Sequence, residues 1–276
     1  MYALLHIQTA LRNGRTYLHK VYHTTPFKIA NITEDKSQAV LHLMLMSSSP
    51  GVLDGDEYQV KIEVAERSSL KLHTQSYQRL FNMKKSAVQN MEVHMNSGSS
   101  FCYIPHPTVP HKASTYVSRS KIFIADGCSL TWGEVLTSGR KLSGESFTFS
   151  KYHNITEVYK DGRLVIKENL LMQPSIVDVN AIGQLEGFTH QATLIFINDH
   201  INIDKAITCL HEMLSLHSDI CFGVSALQVK GLIVRLLGYK AEQLHTVLKL
   251  LAELLNIEAK AVDAPTVNAT NEAHAN

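Results

Sequence analysis

The chain has 276 residues, a formal net charge of +1, and 45% hydrophobic against 18% charged residues. That balance fills a sizeable core in one large domain or two small ones, and it sets up no broad electrostatic field of the kind a general nucleic-acid or membrane-surface binder needs. No window approaches the roughly 18 apolar residues of a membrane helix, and residues 1–15 lack a basic segment ahead of an apolar one. The expectation is a cytoplasmic protein whose scattered cysteines, Cys102, Cys128, Cys209 and Cys221, stay reduced. Two sequons, Asn31-Ile-Thr33 and Asn154-Ile-Thr156, are then inert.

The first two thirds of the chain read as strands. Residues 58–64 alternate, with Tyr58, Val60, Ile62 and Val64 on one face and Gln59, Lys61 and Glu63 on the other, which is the pattern of a half-buried strand. Similar runs lie near 38–46, 69–75, 88–95, 99–104, 115–124, 129–137, 155–160 and 163–171. Polar turns separate them, including Asp126-Gly127 and Asp161-Gly162. Three segments echo one another when aligned on Ser69, Ser100 and Ser129: each runs strand, polar turn, small residue, strand. A repeated unit of this size predicts stacked layers, as in a solenoid or layered sandwich.

The last third changes period. A short apolar strand, 192–197, precedes helical spacing over 204–217, with Ile207, Leu210, Met213 and Leu214 on one face. Two strand-like runs follow, near 220–226 and 229–237. A helix over about 240–256 carries Leu244, Val247, Leu248, Leu251, Leu254 and Leu255 as an apolar stripe, read as core. The reading is therefore mainly β: layered, solenoid-like sheets over about 8–198, a C-terminal α+β part with two helices over about 199–257, both in one domain, and a flexible tail over 258–276.

No phosphate-binding Gly-rich loop, dinucleotide fingerprint, zinc-protease helix or nucleophile elbow is present. Three segments carry costly composition. Residues 47–57 hold a Pro-Gly turn with Gly51 and an Asp54-Gly55-Asp56 turn, whose acidic oxygens, with Glu57, are able to contact a cation. Residues 103–111 hold three prolines, Pro107 among them, together with His106 and His111. In residues 130–140, Glu134 shares a strand face with Trp132 and Leu136. A carboxylate there needs a partner, such as Arg140, or a polar channel. Glu168 is comparable, on a face with Leu164 and Ile166. Glu134 and Glu168 acting as paired carboxylates of a β-rich hydrolase is one open reading.

Together these segments resemble the urease accessory protein UreD family, called UreH in some organisms. The matching words are Thr25-Pro-Phe-Lys28, Ser49-Pro-Gly-Val-Leu-Asp-Gly-Asp56, Thr74-Gln-Ser-Tyr-Gln-Arg-Leu-Phe81 with Gln75 and Arg79, Tyr103-Ile-Pro-His-Pro-Thr-Val-Pro110, and Trp132-Gly-Glu-Val-Leu-Thr-Ser-Gly-Arg140 with Gly139 and Arg140. The resemblance implies a β-helical fold with a helical C-terminal part and a non-catalytic role. It implies a UreF-type partner, a UreG-type GTPase recruited through it, and docking on apo-urease. It also implies no tightly bound cofactor, but nickel in transit along an internal path past Asp56, Glu134 and Glu168.

Overall fold

The computed structural model describes residues 1–35 and 37–263. A hairpin of β1 (Tyr2–Arg12) and β2 (Arg15–His23) opens the chain, followed by β3 (Phe27–Asn31) and β4 (Val40–Ser47). β5 (Glu57–Val64), β6 (Ser69–Thr74) and the short β7 (Gln78–Leu80) lead to β8 (Ala87–Met95), β9 (Ser100–Tyr103) and β10 (Thr108–Pro110). β11 (Thr115–Ile124) and β12 (Ser129–Thr137) come next, then the hairpin β13 (Lys151–Lys160) and β14 (Arg163–Met172). The chain ends in β15 (His190–Ile197), α1 (Ile203–Leu214), β16 (Cys221–Ala226), β17 (Gly231–Gly238) and α2 (Ala241–Asp263).

The strands form two mixed sheets. One runs β14-β13-β11-β8-β5-β1-β2, parallel inside with antiparallel edge strands. The other runs β16-β17-β15-β12-β9-β6-β4-β3, with β12, β9, β6 and β4 parallel. The chain passes from one sheet to the other at tight turns after β5, β8 and β11. Those turns stack: Ser69 lies beside Ser100, and Ser100 beside Ser129. The layered repeat predicted from these serines is thus a physical register. The small residue before each one, Ser68, Ser99 or Cys128, is buried at the corner, where a larger side chain would part the coils.

Between the sheets lies one core. Its apolar end is built in rows by the register, such as Ile62, Val93, Ile122 and Val158. A second core lies outside β12, β15 and β17, under the two helices. Leu244, Val247, Leu248, Leu251 and Leu255 of α2 are all buried there, so the leucine stripe is core as expected except at Leu254, which is only partly buried. At roughly 1.5–3 kcal/mol for each fully buried side chain, this stripe anchors the helix far more strongly than helix propensity could. α1 is capped by Asn202, whose side chain accepts a hydrogen bond from Lys205 N at 3.0 Å.

Several expectations shift. β1, β2 and β3 precede the first strand read from the sequence. α1 stops at Leu214 rather than 217. α2 continues to Asp263, with Ala259 buried, so the part of the expected tail at 258–263 is helical, and 264–276 lies outside the described residues. A register shift between Val158 and Tyr159 moves Leu164 off the face of Ile166 and Glu168, and Leu164 is exposed. Among the described residues, no helix is long and apolar enough to cross a membrane.

Candidate functional site: a polar interior around Glu134

Moving along the inward rows from the stacked turns, the residues turn polar. Val60 and Met91 are followed on β11 and β13 by Ser120 and Thr156, then Tyr58 and Gln89 by Ser118 and Asn154, and finally Tyr116 meets Tyr152. From the facing sheet, β12 aims Trp132 and Glu134 at this polar end. Glu134 Oε1 accepts from Trp132 Nε1 at 2.8 Å and from Thr156 Oγ1 at 2.9 Å, and Asn154 Nδ2 donates to Oε2. These bonds tie one sheet to the other. Burial pushes the carboxyl above its ordinary range; the three donors pull the other way, and nearby Glu168 adds to the rise. None of the ion pairs among the described residues involves Glu134. The expected partner Arg140 instead forms a bidentate pair with Glu145, because Gly139 turns the chain away there, with φ +120. A Cβ on Gly139 would lie 2.7 Å from Pro110 O.

Two cavities meet at this carboxylate. The first, about 160 Å³, is lined by Tyr58, Tyr103, Tyr116, Ser118 and Ser120 among others, and reaches exposed Gln75 and Ser76 and half-buried His106. The second, about 300 Å³, runs past Thr156, Glu168, Thr193 and Arg235 to exposed Gly183 and Gln184. Both are lined by Trp132, Glu134, Val135, Tyr152 and Asn154. Burial holds the tyrosine hydroxyls of Tyr103, Tyr116 and Tyr152 well above their ordinary pKa, so they line the space as neutral dipoles.

Glu168 stands on β14 opposite Thr156 and pairs with Arg235 at 2.6 Å. Glu134 and Glu168 therefore share the second cavity. Asp56 is elsewhere. It is buried, accepts from Leu53 N at 2.8 Å and Tyr58 Oη at 2.8 Å, and pairs with the amino group of Met1 at 2.9 Å. Burial alone would raise its pKa, but these contacts outweigh it and lower it. Asp56 thus braces the turn around Gly55 and positions Tyr58, whose ring lines the first cavity. Asp54 and Glu57 also accept hydrogen bonds, from Lys85 N and Gln59 Nε2. His106 meets Thr74 and the ring of His245, while His111 packs on Phe81, so the two do not converge. Among the described residues, no group of three or more His, Cys, Asp or Glu is arranged to cage a metal.

The remaining motif residues shape the mouth of the first cavity. Gly51 lets the backbone of Arg79 approach, since a Cβ would lie 2.4 Å from Arg79 O, which accepts from Val52 N. Pro107 is buried and its carbonyl accepts from Gln78 N at 3.1 Å. Asn154, Thr156 and Arg235 were missed as site residues. The first two are the sequon of β13, and their signal was polar side chains on the inward face of a strand. Arg235 carried no signal of its own.

Fold and site together define a layered β protein whose polar interior is centred on a carboxylate without an ion-pair partner among the described residues. Comparison with known proteins says which one. The profile described as UreD urease accessory protein matches residues 2–269. A protein named urease accessory protein UreD from Flavobacterium johnsoniae is 46% identical over 267 residues, covering 94% of this chain and 96% of the relative. Proteins of the same name from Acetivibrio thermocellus and Haemophilus influenzae are 36% and 31% identical, over 91% and 92% of this chain and 96% and 99% of theirs. The chain belongs to the UreD urease accessory protein family.

Proposed function

We propose that this chain is a cytoplasmic scaffold of urease maturation whose interior passes nickel toward apo-urease. The observation that carries this reading is the meeting of the two cavities at Glu134. A divalent ion crossing there meets carboxylates one at a time, Glu134 and then Glu168, among neutral hydroxyls and amides. Hard oxygen donors with water hold such an ion loosely, as transit requires, whereas a cage of imidazole and thiolate would retain it. Asp56 supports the path by fixing Tyr58 at its wall.

The rest of the reading concerns partners. The chain lacks a P-loop sequence, so GTP hydrolysis falls to a UreG-type protein joined through a UreF-type one, and the assembly docks on apo-urease. The test is co-expression with urease and the other accessory proteins. Glu134→Ala and Glu168→Ala are expected to retain the UreF-type partner on purification while lowering nickel per urease. Full nickel loading by the double variant overturns the passage, and failure of the wild-type chain to retain the partner overturns the scaffold.

A further inference from the structure

Arg235 is the one Lys or Arg among the described residues lining either cavity. Its placement follows from register. On β17, Leu232, Val234 and Leu236 face the helices, and Ile233 and Leu237 face the core between the sheets, so Arg235 shares the inward side. Arg235 lies opposite Thr193 of β15, which in turn lies opposite Glu134 of β12. On the other sheet, Thr156 of β13 lies opposite Glu168 of β14. Each carboxylate thus sits at one side of a threonine, and Thr156 donates to Glu134 itself. The Arg235–Glu168 contact joins the two rows, from β17 of one sheet to β14 at the edge of the other.

We propose that Arg235 is the gate of this passage: its guanidinium takes the place at Glu168 that a divalent cation would otherwise take, and the pair must part before the ion moves. This rests on the nickel-passage reading above. Electrostatics require competition, because a carboxylate already paired with a guanidinium offers less to an incoming ion, and the fixed positive charge repels it. The strength of the pair suits a gate. The Arg235 side chain is 56% exposed and that of Glu168 27%. A pair so open to water is weak and screened, so it releases readily. The contact uses a single guanidinium nitrogen, so a modest swing of the long side chain breaks it.

The test is equilibrium Ni²⁺ binding by the purified full-length chain, read by competition with a chromogenic chelator. Arg235→Gln is expected to tighten binding about two- to fivefold, the range an exposed ion pair supports. Adding Glu168→Gln is expected to cancel the gain. Unchanged affinity in Arg235→Gln, or a gain that survives in the double variant, overturns the gate. Should Arg235→Gln fail to fold, Arg235→Met, which keeps the aliphatic stem on β17, carries the same expectation. The two readings fail separately. If Arg235→Gln binds nickel no tighter while Glu134→Ala lowers nickel per urease, the gate is wrong and the passage stands. If Arg235→Gln binds more tightly but Glu134→Ala leaves loading intact, Glu168 is a masked site off any path, and the gate is again wrong.

Discussion

The inward faces of β5, β8, β11 and β13 differ between their two ends. Near the stacked turns they bury Val64, Met95 and Ile124, then Ile62, Val93, Ile122 and Val158. A few residues away the same faces carry Ser120, Thr156, Ser118 and Asn154, and cavities replace contact. The pleat is the same throughout. What changes is whether the facing strand offers Phe101 and Leu130 or Trp132 and Glu134. One end is built to hold the sheets together, and the other is built to be hollow and polar.

The sharpest way to break this comparison is to empty the apolar end. Phe101 is fully buried there. Phe101→Ala is expected to cost about 3–5 kcal/mol in chemical denaturation, combining lost transfer energy with a cavity that packed neighbours cannot close. Ser120→Ala, at the polar end and also buried, is expected to cost less than about 1 kcal/mol. Similar costs at both sites would mean that the polar end is as tightly packed as the other.

A middle-sized effect sharpens the polar end itself. Glu134→Leu leaves Trp132 Nε1, Thr156 Oγ1 and Asn154 Nδ2 without their acceptor, a loss of about 1–3 kcal/mol. Adding Asn154→Leu removes one orphaned donor and is expected to recover part of the loss. If Glu134→Leu proves stabilising, the three donors serve only to hold the carboxylate and contribute nothing to the fold.

Much of this arrangement was legible in the sequence, and what was not has a physical cause. The alignment on Ser69, Ser100 and Ser129 anticipated stacked neighbours, because similar turns at nearly equal spacing bring the same position of successive layers side by side. Glu134 was legible because strand geometry puts i and i+2 on one face, so a carboxylate beside Trp132 had to be buried or channelled. β2 was missed because it is an edge strand with little buried surface, and β7 and β10 because three residues show no period. Two of the three donors to Glu134, Asn154 and Thr156, come from the other sheet, and Arg235 reaches Glu168 across 67 residues of chain. Such pairings follow from packing and register, which local pattern does not contain. Arg140 shows the same limit: five residues away, Glu145 takes the charge that a face argument offered to Glu134.

The smallest effect concerns the other side of β12, where the comparison meets a third environment. There α2 covers the sheet, and His245 is buried at 1% exposure within hydrogen-bond reach of Ile104 O. Burial first, then Lys249 and His106, hold its imidazole down at about 4. His190, at the start of β15, is held at about 4 by burial and by Lys141. In the unfolded chain both take up protons near the ordinary value of 6.5. The unfolded state therefore binds more protons between these limits, so stability is intact above about pH 6.5, falls as pH drops from there toward about 4, and loses nothing further to these groups below that. With solvent screening, each imidazole contributes on the order of 1–2 kcal/mol to that loss. Denaturation curves from pH 7.5 to 4.5 are expected to show the decline, and His245→Phe to remove about half of it. A variant as acid-sensitive as the wild type would place the sensitivity elsewhere, in the carboxylates of the polar interior or its mouth rather than under the helix.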